Sequence, residues 1–379
     1  MPRVLLLFEY PTLNGGEQSL LAVLPSLAER DFTFQALAPA GSPLAAALTA
    51  HGIRITPLST VDPQGRRLQQ AEIRQQLQAT VARIKPDLVH ANSLSMGRLV
   101  GPIMAAERIP GIGHLRDIIG LSSQAVADLN RLSRLLAVSQ ATADFHVAQG
   151  IAVERTFVLH NGVDLDRFSP RPRRGWLQAE LKIPQHAILL GTIGQLVLRK
   201  GHDVLAHAAA LVAERFPDAH FVIAGSRYSD KDEAREHEQA VRSRFAEGTL
   251  VGRGHFVGLR SDIPELLNEL TLLIHPARQE PLGRVLLEAA ASGLPIVATD
   301  VGGTREILSS DSAELVPPGD AAALATAIVK LLDNEPLRRQ YATACRQRVV
   351  AHFDARQAAA ALGTHYHEVL EIPRTRPLT

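Results

Sequence analysis

At 379 residues, with 46% hydrophobic and 21% charged residues, the chain is too long for one ordinary core and too apolar for disorder, so two domains are expected. Forty basic residues against 39 acidic leave a net charge of +1, without the concentrated basic excess that nucleic-acid binding needs. The single cysteine, Cys345, forbids an internal disulfide and suits a reducing cytosol.

The chain opens on Val4-Leu-Leu-Leu-Phe8, a run too short for a signal peptide and long enough for a strand. Short β-rich runs then alternate with longer helical patterns, the signature of parallel sheets covered by helices on both faces. Strands are expected near Val4–Phe8, Phe34–Ala38, Leu88–Ala91, Ile112–Leu115, Leu135–Val138 and Thr156–Leu159. Helices are expected over Gly16–Glu29, Arg67–Lys85 and Ala141–Gln149. The polar stretch Ser169-Pro-Arg-Pro-Arg-Arg-Gly175 reads as a linker. Beyond it the pattern restarts, with strands near Ala187–Ile193, Phe221–Ala224, His255–Val257, Leu272–His275 and Ile296–Thr299. An Ala-rich helical pattern from about Arg356 to Leu370 ends the chain, followed by a Pro-containing tail. No apolar run is long enough to cross a bilayer, and a cytoplasmic protein is expected. The expected fold class is α/β, with two facing doubly wound, Rossmann-like domains and a ligand at the carboxyl ends of the sheets.

The most informative stretch is His275-Pro-Ala-Arg-Gln-Glu280-Pro-Leu-Gly-Arg-Val-Leu-Leu-Glu288-Ala-Ala-Ala-Ser-Gly293-Leu-Pro295. A strand ends near His275, a loop carries Glu280, and a helix starts around Gly283 and stops at Gly293 with Pro295 beyond. Two carboxylates thus flank a helix N-terminus, where the N–H groups of Leu282, Gly283 and Arg284 favour an anion. A plainer reading pairs Glu288 with Arg284 one turn earlier and leaves Glu280 solvated.

This stretch resembles the two-glutamate motif of the retaining glycosyltransferases of the GT-B fold, family four (glycosyl transferases group 1). The resemblance extends to Gly15-Gly16 after the first strand, Val158-Leu-His-Asn-Gly-Val-Asp-Leu-Asp-Arg-Phe168 before the linker, and Ile193-Gly-Gln-Leu-Val-Leu-Arg-Lys-Gly-His-Asp-Val-Leu205. Phe256-Val-Gly258 and Val301-Gly-Gly-Thr-Arg-Glu306 also match, in the family's order. The resemblance implies an acceptor-side domain over residues 1–170, joined by a returning C-terminal helix at about 353–372, and a nucleotide-sugar donor domain over 171–352.

The same resemblance implies roles. Glu288 binds the donor ribose, a task suited to an ionised acceptor of two hydrogen bonds. Glu280 sits at the transferred sugar, and the backbone of Leu282 and Gly283 closes on the donor. Gly15 and Gly16 admit backbone to the diphosphate, or else serve a tight turn that needs glycine dihedrals. Lys200 carries charge to the leaving diphosphate, with Arg199 beside it as a second cation. Where the family commonly has an Arg directly after a glycine this chain has Gln195, which puts the usual two-cation clamp in question. His114, with Arg116 as the alternative alignment, takes the place of a family His near sugar and acceptor. Arg260 lies where the base-binding loop runs, with a surface Arg the plainer reading.

Asp164-Leu-Asp166 and Asp230-Lys-Asp232 have a metal–diphosphate spacing that is common by chance. No Cys/His ligand spacing accompanies them, so neither metal nor other cofactor is expected. The resemblance implies a nucleotide-sugar donor, with UDP- and GDP-sugars the leading candidates, and an acceptor that is a small molecule, a glycan or a lipid-linked species. Membrane contact is at most peripheral, through Met96–Arg108, for which a packed helix is the plainer expectation. A nucleotide-sugar epimerase of the same fold and a non-catalytic nucleotide-sugar-binding protein are the competing readings.

Overall fold

The computed structural model describes residues 1–229 and 231–371. Asp230, one carboxylate of the second Asp-x-Asp spacing, and residue 372 onward, the end of the expected C-terminal segment, lie outside the described residues.

Apolar runs that are buried on both faces become central strands of two parallel sheets. In chain order the first half contains β1 (Arg3–Leu7), α1 (Gly15–Ala28), β2 (Thr33–Ala38), α2 (Pro43–Ala50), β3 (Arg54–Pro57), α3 (Gln70–Ile84), β4 (Leu88–Ala91), α4 (Leu94–Glu107), β5 (Gly111–Leu115), α5 (Ser123–Leu129), β6 (Arg134–Ala137), α6 (Gln140–Val147) and β7 (Thr156–Val158). The second half contains α7 (Trp176–Leu181), β8 (Ile188–Ile193), α8 (His202–Arg215), β9 (Ala219–Ala224), α9 (Asp232–Phe245), β10 (Gly254–Gly258), α10 (Ile263–Glu269), β11 (Leu272–His275), α11 (Arg284–Ala291), β12 (Ile296–Thr299), α12 (Thr304–Ile307), β13 (Glu314–Val316), α13 (Ala321–Asp333) and α14 (Glu335–His352). The final helix, α15 (Ala355–Leu370), belongs to the first compact unit, with Met1–Gly162; the second unit is Val163–Asp354.

Unit 1 has the strand order β3-β2-β1-β4-β5-β6-β7 and unit 2 the order β10-β9-β8-β11-β12-β13. All the pairings are parallel. In each sheet the order reverses beside the first strand, between β1 and β4 and between β8 and β11. That reversal opens a crevice at the carboxyl ends, where doubly wound folds bind ligands.

Successive residues of β1 serve opposite cores, Leu5 and Leu7 one and Val4 and Leu6 the other, as the two-residue period of a strand requires. The helix α15 buries Ala359, Leu362, Tyr366 and Val369, a single stripe at helical spacing, and packs on α1. The segment Met96–Arg108 forms most of α4 and its C-cap, Arg108, with Met96, Leu99, Val100, Ile103 and Met104 buried in unit 1. Two strands escaped the sequence reading. β3 and β13 are outermost in their sheets and only half buried, so neither carries the apolar run of a central strand. Among the described residues no helix is long and apolar enough to cross a membrane.

Candidate active site

In unit 2 the loops leaving β8 and β11 meet beside the point where the strand order reverses. After β8 the chain turns through a 3-10 segment, Leu198–Lys200, into Gly201 and α8. Gly201 has φ +68°, and a Cβ there would lie 1.9 Å from the carbonyl oxygen of Pro276, so only glycine lets the two loops touch. The carbonyl of Arg199 accepts the N–H of Arg278 at 2.8 Å. The Arg278 guanidinium makes two 2.6 Å bonds to the Asp203 carboxylate, a bidentate clamp between the β11 loop and the first turn of α8.

This seam delivers Lys200 to Glu280. The Lys200 Nζ donates to Glu280 Oε2 at 2.5 Å, and His275 Nε2, at the end of β11, lies 2.8 Å from the same oxygen. The side chains are 14% exposed for Lys200, 7% for Glu280 and 3% for His275. Burial pushes the Glu280 carboxyl upward, but the Lys200 charge and the His275 hydrogen bond outweigh it and hold Glu280 well below the usual range. Burial lowers His275, opposed by its bond to Glu280, so a neutral ring donates its Nε2–H. Both bonds go to Oε2, and Oε1 takes none from the described residues.

The Glu280 carbonyl accepts the N–H of Gly303, tying its loop to the Val301-Gly-Gly-Thr segment. Leu282 is buried, and Gly283, at φ +107°, is the N-cap of α11. Its first turn leaves N–H groups without helical partners, as expected from the sequence. Glu288 lies on the second turn, buried, and its Oε1 accepts from Arg284 Nε at 2.6 Å. The plain i,i+4 pair is therefore present, and within it one carboxylate oxygen of Glu288 stays free of Arg284 Nε.

Arg199 is exposed while Lys200 turns inward, and Gln195 is half buried. Arg260 follows β10, an edge strand two places from β8. It is no solvated surface Arg: it bonds Asp262 and Glu180 at 2.6 and 2.5 Å and lies over the Trp176 ring at 5.4 Å. Those two carboxylates push its pKa up.

In unit 1, Gly15 and Gly16 form the first turn of α1, behind a capping box of Asn14 and Glu17. Neither has positive φ, so the tight-turn reading is corrected: glycine dihedrals are not what the pair supplies. A Cβ at Gly16 would instead lie 2.9 Å from Arg116 Cδ, so the glycine makes room for that side chain. Arg116 donates to the carbonyl and Oδ1 of Asn92 at 3.0 and 2.8 Å and to Asn161 Oδ1 at 2.8 Å. His114 is buried at the end of β5, its Nδ1 2.8 Å from His90 Nε2 and 3.2 Å from Arg116 Nη2. Burial, Arg116 and His90 hold it well below the usual histidine value.

Asp164 accepts the N–H groups of Asp166 and Arg167 at 3.0 Å, an Asx turn that explains the first Asp-x-Asp spacing. No group of three or more His, Cys, Asp or Glu among the described residues is arranged to hold a metal ion. Sequence reasoning missed His275, Gly201, the Asp203–Arg278 clamp and the His90–Tyr366 contact. The first three lay inside quoted motifs without a role; the last has no local signal.

These features define a class: two Rossmann-like units of the GT-B kind, one with a lysine–glutamate pair beside an anion-favouring helix start. Residues 177–348 match the family described as Glycosyl transferases group 1, and residues 13–167 match Glycosyltransferase Family 4. The chain is 28% identical over 245 residues to the lipopolysaccharide core biosynthesis mannosyltransferase LpsB of Rhizobium meliloti, covering 64% of this chain and 67% of that protein. It is 28% identical over 320 residues to D-inositol 3-phosphate glycosyltransferase 1 of Catenulispora acidiphila, covering 77% and 74%. Its fold matches Anabaena Alr3699/HepE in complex with UDP-glucose at TM-score 0.85 and 23% identity, over 97% of this chain and all of that one. The chain belongs to the group 1 glycosyltransferases of the GT-B fold and is a glycosyltransferase.

Proposed function

We propose that the enzyme transfers a sugar from a UDP- or GDP-sugar to a hydroxyl acceptor, with retention of anomeric configuration and without a divalent cation. The buried Lys200–Glu280–His275 cluster carries this reading. Lys200 and the start of α11 supply positive potential to a departing diphosphate, the electrostatic term that dominates such catalysis. Glu280 Oε1 accepts from hydroxyls of the transferred sugar, while Glu288 binds the ribose. Leu282 and Gly283 present backbone to the donor, and Gly15 and Gly16 admit backbone to the diphosphate. His114 serves the sugar and acceptor side, on the family resemblance. Arg199 is the second cation where Gln195 is neutral, and Arg260 borders the base. The bond from C1 to the diphosphate oxygen breaks with its electron pair on the phosphate. The acceptor oxygen bonds to C1 on the same face, and its proton passes to the leaving phosphate.

The UDP and UDP-glucose complexes of the Anabaena neighbour support a uridine donor. The single buried cysteine supports a reducing, cytosolic setting. A thermal-shift panel of UDP, GDP, ADP and dTDP sugars tests the donor class, because a bound donor raises apparent stability. NMR of the product anomer tests the mechanism. Inverted configuration, or no stabilisation by any UDP- or GDP-sugar, would overturn the reading.

A further inference from the structure

A buried hydrogen-bonded chain crosses unit 1 from α15 to the end of β5. Tyr366 Oη lies 2.6 Å from His90 Nδ1, and His90 Nε2 lies 2.8 Å from His114 Nδ1. Tyr366, His90 and His114 are all buried. Two such imidazoles and a phenol can run their hydrogen bonds in either direction, because each group both donates and accepts. Arg116 removes that freedom. Its guanidinium has only donors, and its Nη2 sits 3.2 Å from His114 Nδ1, so that nitrogen must be the bare acceptor. The proton of the neutral ring then resides on Nε2. His90 must donate from Nε2 to the same atom, which leaves its Nδ1 to accept the Tyr366 hydroxyl.

We propose that Arg116 is a positioning residue that locks His114 in the Nε2–H tautomer, so that His114 acts as a hydrogen-bond donor and not as a base. This rests on the placement of His114 at the reacting sugar in the function proposed above. Burial reinforces the lock by keeping both rings neutral, lowering His90 to about 3 and His114 well below its ordinary value. Arg116 is itself pinned by Asn92 and Asn161 and seated against Gly16. His114 Nε2 has no partner among the described residues, and the ring borders a cavity of about 20 Å3 with Ser19, His160 and Asn161, room for one water. The proton it presents suits a sugar or acceptor oxygen. A second proton at Nδ1 would collide with the two donors already aimed there.

The test is the imidazole 15N spectrum of ligand-free protein, with rings assigned through His114→Gln and His90→Gln. The wild type should show His114 as a single Nε2–H tautomer, and Arg116→Met should populate both tautomers as the chain regains its two directions. An Nδ1–H form of His114 in the wild type would overturn the proposal. So would an unchanged single tautomer in folded Arg116→Met. If that variant does not fold, the wild-type spectrum alone decides. The spectrum is recorded without substrate, so failure of the lock is distinguishable from failure of the transfer reading.

Discussion

Replacing Lys200 with Met removes the cation from a site where its partner has little access to water. The Glu280 side chain is 7% exposed, and without Lys200 its charge keeps only the neutral His275 donor. Breaking a buried ion pair from one side costs about 3–5 kcal/mol, because the surviving charge stays uncompensated. In a unit of about 190 residues, each kcal/mol lowers the midpoint by about 2–4 °C, so a fall of about 6–20 °C is expected. Lys200→Met/Glu280→Gln should recover most of that loss, since no lone charge remains, while turnover stays down about a hundredfold or more. The pH sign follows from Glu280. Its folded pKa is held below the ordinary value, so its stabilising contribution is full at neutral pH and fades as pH falls into the acid range. Without Lys200, burial dominates and the penalty for ionisation is likewise greatest at neutral pH. The gap between wild type and Lys200→Met should therefore narrow as pH falls through about 4. Thermal and urea unfolding at both pH values measure this. A single-mutant cost under about 1 kcal/mol, or a double mutant no more stable than the single, would refute the reasoning.

Glu288→Ala should weaken binding of the bare nucleoside diphosphate by about 1.5–3 kcal/mol, the range for hydrogen bonds to a charged group. Glu280→Ala should spare the bare nucleotide and lower sugar transfer; calorimetry beside turnover separates the two, and equal effects on nucleotide affinity would contradict the assignment. Transfer should survive EDTA with little loss, and abolition rescued by magnesium or manganese would show that an ion shares the work of Lys200. Gly201→Ala should destabilise unit 2 by about 2–5 kcal/mol, through left-handed backbone strain and overpacking. Its new Cβ would meet the Pro276 carbonyl at 1.9 Å, and an unchanged unfolding midpoint would show that the loops separate easily.

The sequence by itself determined the alternating elements, the loop carrying Glu280 after β11, and the position of Glu288 on the second turn of α11. Those properties are written in local periodicity and in spacings of a few residues, which a helix or a strand converts directly into geometry. Strands β3 and β13 were not legible, because an edge strand needs no apolar run of its own; the other two edges, β7 and β10, kept enough of one to be read. Tertiary structure alone decided who touches whom. Lys200 and Glu280 are 80 residues apart, and what joins them is the absence of a Cβ at Gly201. Of the two readings of Gly16, an opening for the diphosphate or a tight turn, the fold removes the second and lays Arg116 against the glycine. Tyr366 reaches His90 across 276 residues because α15 returns to unit 1. Hydrogen bonds with defined donors and acceptors exist only once such distant groups are brought within 3 Å in a place without water.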